Sequence, residues 1–145
     1  MRHDGPMTSA PRTVGRLALG GALSFAGISH LTTAREEFQA QVPPWFPADP
    51  DAVVVVSGWV EIALGLALLA VPRRHRWRVG VIVAAFFIVI FPGNISQFVT
   101  RTDGFGLDSD LARGVRLLFQ PVLVLWALWS TDAVRAWRER REREA

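Results

Sequence analysis

The stretch Val79-Gly-Val-Ile-Val-Ala-Ala-Phe-Phe-Ile-Val-Ile-Phe91 decides the fold. It is apolar all round and offers no face to water. A helix buried in a soluble bundle normally keeps one polar side. A helix without one belongs in hydrocarbon on hydropathy grounds.

Working outward from that stretch, three further blocks approach the ~20 apolar residues needed to cross a hydrocarbon core ~30 Å thick. The four run at about 14–31, 52–71, 79–99 and 115–130. Between them lie Thr32 to Asp51 with Pro43, Pro44, Pro47 and Pro50, then Pro72 to Arg78, then Arg101 to Gly114. The expected fold class is all-α, a four-helix transmembrane bundle over 14–131. A tail at 1–13 precedes it and a charged tail at 132–145 follows. A rival reading makes the first block a signal peptide, with Arg12 and Arg16 before Leu17 to Ala26 and small residues Ser24 and Ala26 at cleavage spacing. That would leave three spans, although uncleaved first helices share the pattern.

Charge gives the orientation. Of the 16 basic residues, all arginine, twelve stand before the first block, between the second and third, or after the fourth. Arg35, Arg101, Arg113 and Arg116 stand on the other side. Arginine-rich loops stay cytoplasmic, so both termini are expected inside (N-in/C-in). Trp77, Trp126 and Trp129 fall near the inner ends, where amphipathic rings favour the headgroup layer, and Trp45 lies in the outer loop. The tail from Asp132 reads as a short helix on anionic lipid or as a solvated charged segment.

Composition narrows the chemistry. Among 145 residues there is no cysteine, tyrosine or lysine, which excludes thiolate, disulfide, Cys-ligated metal and Schiff-base chemistry in this chain. The net charge of +3 is explained by membrane topology, and nucleic acid is not an expected partner. No phosphate loop, hydrolase triad or zinc helix is present. His3, His30 and His75 cannot meet at one metal, because His3 and His75 fall on the inner side; no metal site is expected.

Ionisable residues inside hydrocarbon tend to face the bundle interior. Glu61 shares a face with Ser57 and Gly65, where small residues admit a neighbouring backbone. At 1.5 Å per residue it lies roughly 13–15 Å from the outer end of its helix. His30 closes the first block, Asn94 and Gln97 lie in the outer part of the third, and Arg116 and Gln120 open the fourth. All four helices therefore place polar groups in the outer half, and the inner halves place almost none. Pro92 and Pro121 leave the carbonyls of Ile88 and Leu117 without their usual donors, which predicts kinks beside the cluster. A Glu61–Arg116 ion pair offsets the cost of the buried acid most cheaply.

Five strings in order, Phe25-Ala-Gly-Ile-Ser-His30, Val42-Pro-Pro-Trp-Phe-Pro47, Ser57-Gly-Trp-Val-Glu61-Ile-Ala-Leu-Gly65, Phe91-Pro-Gly-Asn94-Ile and Leu118-Phe-Gln120-Pro, resemble the DoxX family of small bacterial membrane proteins. The resemblance spans about 14–131 and implies a multi-pass protein of the bacterial cytoplasmic (inner) membrane. It marks His30, Glu61, Asn94 and Gln120 as characteristic polar positions. It also implies a membrane component of an oxidoreductase or stress-response system, working beside a soluble redox partner. The expected mechanism makes Glu61 and His30 a proton relay, with His30 open to the outside. Asn94, Gln120, Arg116 and Gln97 are the ligand-binding candidates, facing a quinone. The alternatives are a non-enzymatic scaffold or lipid-binding protein, and a small transporter subunit working as a homo-oligomer.

Overall fold

The computed structural model describes residues 9–104 and 106–145. Arg2 and His3, used above for charge and for the histidine argument, lie outside them. Of the described residues, 82% are helical and none is in a strand. They form six α-helices: α1 (Ala10–Leu31), α2 (Arg35–Phe38), α3 (Pro50–Ala70), α4 (Arg76–Thr100), α5 (Asp110–Ser130) and α6 (Ala133–Glu144). A 3-10 turn, Gln39–Gln41, follows α2, and another, Arg73–His75, precedes α4.

Local chemistry sets the boundaries. Helix α3 begins where the Asp49 carboxylate accepts from the Ala52 amide at 3.0 Å, with Pro50 in the first turn. Helix α5 begins likewise at Ser109, whose hydroxyl accepts from the Ala112 amide at 3.2 Å. Arg101 (φ 54°) ends α4 in the left-handed region, and Asp132 (φ 57°) makes the turn between α5 and α6. Pro92 and Pro121 lie inside helices that continue through them.

Helix α1 packs chiefly on α3, and α4 chiefly on α5. The first pair meets backbone to backbone through glycine. A Cβ on Gly27 would stand 2.5 Å from the Gly58 carbonyl oxygen, and one on Gly20 would stand 3.0 Å from the Gly65 oxygen. Small residues at such crossings let dispersion forces act over the whole helix face. The apolar core joining both pairs is modest: Leu19, Leu23, Leu68, Val83, Ala84, Phe87 and Ala127.

Most of the apolar surface points outward instead. Val89 is 74% exposed, Leu118 70% and Leu125 66%, whereas Glu61, Asn94 and Gln120 are buried. Polar inside and apolar outside is the reverse of a water-soluble bundle. Helices α3, α4 (with its 3-10 turn) and α5 are long and apolar enough to cross a membrane. Helix α1 qualifies only when joined to the segment Arg35–Gln41, from which it bends by 99°. Arg16 and His30 dilute its apolar character, so the first block is the weakest of the four.

Interlocked ends fix how the helices run. The start of α1 meets the end of α3 through Arg16, whose guanidinium donates to the Leu68 and Leu69 carbonyls. It meets the end of α5 through Trp126, whose indole donates to the Gly15 carbonyl at 2.9 Å. Gly80, near the start of α4, packs against Thr131. One end of the bundle therefore carries the arginine-rich segments, and the other carries the loops 32–49 and 101–109.

Candidate functional site

Glu61 stands on the α3 face between Gly58 and Gly65, which draw α1 close enough for His30 to reach it. His30 Nδ1 lies 2.8 Å from Glu61 Oε2 and 2.9 Å from the Ala26 carbonyl oxygen. Both oxygens compete for one ring nitrogen. The carbonyl meets it in hydrogen-bond geometry, and Oε2 does not, so the carboxylate contact is electrostatic. Oε2 is buried without a hydrogen-bond donor.

Asn94 and Gln120 join across α4 and α5. The Asn94 amide donates to Gln120 Oε1 at 3.1 Å, Arg116 Nη1 reaches the same oxygen at 3.3 Å, and Gln120 Nε2 donates to the Phe87 carbonyl at 2.6 Å. A carbonyl can only accept, which fixes the orientation of the Gln120 amide and hence that of Asn94. Phe87 lies in the turn before Pro92, where the proline weakens the helical ladder. Gln120 thus serves the turn in which an unmet carbonyl was expected, one residue from Ile88. Asn94 Oδ1 is left buried and unpartnered.

Arg116 feels the Glu61 charge but forms no direct ion pair with it among the described residues. His30 takes that place, being nearer across the glycine contact. Gln97 is buried on the same face as Asn94, yet its amide turns away and donates to the Thr102 carbonyl at 3.2 Å. It ties the following loop and stands apart from the Asn94–Gln120–Arg116 group.

A cover closes this end. Phe38 of α2 stacks on the His30 ring, centroids 3.4 Å apart and planes at 25°. The Gln41 carbonyl rests on Gly93, where any side chain would collide with it. His30 is therefore buried beneath α2 and does not open to solvent as the sequence suggested, because the bend after α1 folds residues 35–41 back over the cluster. A mostly apolar groove of about 630 Å³ runs beside the cover, lined by Pro44, Trp45, Pro92, Ile95, Ser96 and Val99, with none of the cluster's polar side chains.

Two features escaped the sequence reading. Arg113 is buried, donating to Asp103 at 2.9 Å, the Leu107 carbonyl at 2.7 Å and Asp110 at 3.1 Å, which anchors loop 101–109 to α5. The opposite end also holds buried polar groups: Arg16, Ser130 and Thr131. Polar burial is thus not confined to one half. Among the described residues no three His, Asp or Glu side chains converge as metal ligands would.

Residues 19–131 match a family described as a domain of unknown function, DUF8561. The chain belongs to that family. No curated protein and no solved structure matches it. In this DUF8561 chain the matched region holds the whole His30–Glu61–Asn94–Arg116–Gln120 cluster, whereas Arg16 lies just before it.

Proposed function

We propose that the chain is a four-span, DoxX-like protein of the bacterial cytoplasmic membrane, N-in and C-in, whose polar cluster binds a quinol for an oxidoreductase or stress-response system. The carrying observation is the pair of buried acceptors without donors, Glu61 Oε2 and Asn94 Oδ1. A buried polar atom left unpaired costs about 1–3 kcal/mol, so a donor ligand is favoured there. Asn94 and Gln120 each donate one of their two amide hydrogens, to Gln120 Oε1 and to the Phe87 carbonyl, whereas the two acceptors have no donor at all, so the donor-bearing reduced form of a quinone suits them best. A quinol offers two hydroxyl donors. On this reading Glu61 takes a hydroxyl proton, beside His30 and within the field of Arg116, and a soluble partner supplies the remaining redox machinery. The arginine-rich end faces the cytoplasm, and the outward apolar residues face lipid.

The test is equilibrium binding of a short-chain quinol and its quinone to the purified protein in nanodiscs. The reduced form should bind more tightly, and Glu61→Gln should weaken it about tenfold, the equivalent of one good hydrogen bond. Equal affinity of the variant and the original chain removes the reading.

One observation favours the scaffold alternative. The glycine seats around Glu61 bring α1 and α3 into backbone contact, so the His30–Glu61 pair also suits a purely packing role.

A further inference from the structure

At the arginine-rich end the ends of four helices converge on a group that lacks an acceptor. Arg16 is 4% exposed and projects from α1 to the last turn of α3. Its Nη1 serves the Leu68 and Leu69 carbonyls, which leaves the Nε edge, the one that grips oxyanions side-on, unused. Arg16 Nε is buried with no partner, and so is Arg76 Nε at the first residue of α4. Ser130 closes α5 fully buried, with its Cβ carbon against the Gly15 position next to Arg16, and its hydroxyl is unpartnered too.

Charge makes the arrangement stranger as a purely structural one. Gly15 of α1 packs on Ser130 and Gly80 of α4 packs on Thr131, which brings the Arg16 and Arg76 segments to the same end of α5. No carboxylate among the described residues lies within ion-pair distance of either, because the nearest acid in sequence to Ser130, Asp132, is held by Arg12. Two partly desolvated like charges need a counter-charge, and removing water from them is not otherwise repaid. Three buried donor atoms at one end of the bundle, two of them cationic, fit an acceptor-only anion with several oxygens. Arginine forks match phosphate in this way.

A second feature at the same end points in the same direction. A groove of about 480 Å³, almost wholly apolar, runs along α5 past Leu125, Leu128 and Trp129, and three arginines, Arg12, Arg135 and Arg138, stand at it with one acid, Asp132, which Arg12 pairs. Trp129 also packs on Gly15, so the groove adjoins the helix that carries Arg16. An acyl chain fits such a wall, and basic pockets between helix ends suit lipid phosphate.

We propose that Arg16, Arg76 and Ser130 form a binding site for a phosphate group, carried by an anionic lipid headgroup or free in solution. The proposal is independent of what the Glu61 end binds. Occupancy would neutralise the two arginines and tie α1, α4 and α5 together through one anion.

The experiment follows thermal unfolding of the full chain in phosphatidylcholine nanodiscs. Inorganic phosphate is titrated against chloride at matched ionic strength, and phosphatidylglycerol is then introduced in steps. A rise in midpoint with phosphate assigns the site to the free anion. A rise with phosphatidylglycerol alone assigns it to the headgroup, and either supports the proposal. Arg76→Gln keeps the Arg16 cap intact, and Ser130→Ala is nearly isosteric; each should raise the half-saturating concentration about tenfold. Arg143→Gln, on the exposed last turn of α6, should leave it unchanged. No rise with either anion overturns the site. So does a response that survives Arg76→Gln and Ser130→Ala, or one that Arg143→Gln abolishes, since both mean diffuse surface charge.

Discussion

The two ends of this bundle differ in the polar groups they leave unmet. At the loop-covered end the unmet groups are two acceptors, Glu61 Oε2 and Asn94 Oδ1, and one donor edge, Arg113 Nε, on a guanidinium whose other nitrogens are paired; at the arginine-rich end they are Arg16 Nε, Arg76 Nε and Ser130 Oγ, with no acceptor-only group among them. Helix α4 carries one of each, Asn94 and Arg76. Burial alone therefore says little about role. Arg16 serves two carbonyls at a helix terminus, where the last turn lacks its own donors. Glu61 serves nothing except an electrostatic contact with His30. One end is therefore braced by its polar group, and the other carries its polar group at a cost.

The sharpest test of that contrast is Arg16→Leu. It removes a charged donor from the Leu68 and Leu69 carbonyls and leaves them in an apolar interior. Hydrogen bonds to charged groups contribute about 1.5–3 kcal/mol, so the loss should approach 3 kcal/mol in equilibrium unfolding from mixed micelles. A cost below about 1 kcal/mol would mean that the α3 terminus is satisfied some other way, and the contrast between the ends would fail.

Gly27→Val comes next and addresses what the ends share. The new side chain would push on the Gly58 carbonyl and on Ile62, and rigid backbone cannot yield as a flexible side chain can. Overpacking of this kind costs about 1–3 kcal/mol. The expected result is a lower unfolding midpoint together with a weakened His30–Glu61 contact, read from the His30 ring resonances by NMR. A lower midpoint with unchanged His30 signals would show that the pair is held by α2 and Phe38 rather than by the glycine seat.

Much of this was legible in the residues. The helical blocks announce themselves because hydrocarbon-facing sequence needs no polar stripe, and α3 and α4 start and end within a few residues of the expected 52–71 and 79–99. Glu61, Asn94 and Gln120 stand out because each interrupts an apolar run. The grouping of Asn94, Gln120 and Arg116 follows from their common depth. Gln97 shares that depth and face, but its amide turns to Thr102, and rotamer choice is not written in spacing. The sequence puts His30 at an open rim because nothing local in Thr32 to Asp51 says that α2 bends back across it. Arg16 does carry a signal in the sequence. It falls in register with Leu19, Leu23, Gly27 and His30, the buried face of α1. Its position beside a span end made a flanking charge seem sufficient. The turn at Asp132 lies beyond reach of pattern reading, since a non-glycine residue at φ 57° is set by tertiary packing.

Glu61→Leu carries the smallest expected change in stability and the most information. The substitution removes an oxygen that has no donor and a charge whose nearest partner, His30, already donates to the Ala26 carbonyl. The imidazole keeps that bond and its stack on Phe38, so no new orphan is created on α1. Removing one member of a buried ion pair is costly where it strands the other, but His30 keeps the Ala26 carbonyl and the Phe38 ring as partners, so that cost does not arise here. The unfolding free energy should stay within about 1 kcal/mol of the original, far from the Arg16→Leu result. Quinol affinity, in contrast, should fall with the loss of the acceptor. Should Glu61→Leu cost as much as Arg16→Leu, the acid is a structural brace like the arginine, and the scaffold reading replaces the ligand site. A stable variant with intact quinol binding would move the site to the groove beside Pro92 and Trp45, where no polar member of the cluster reaches.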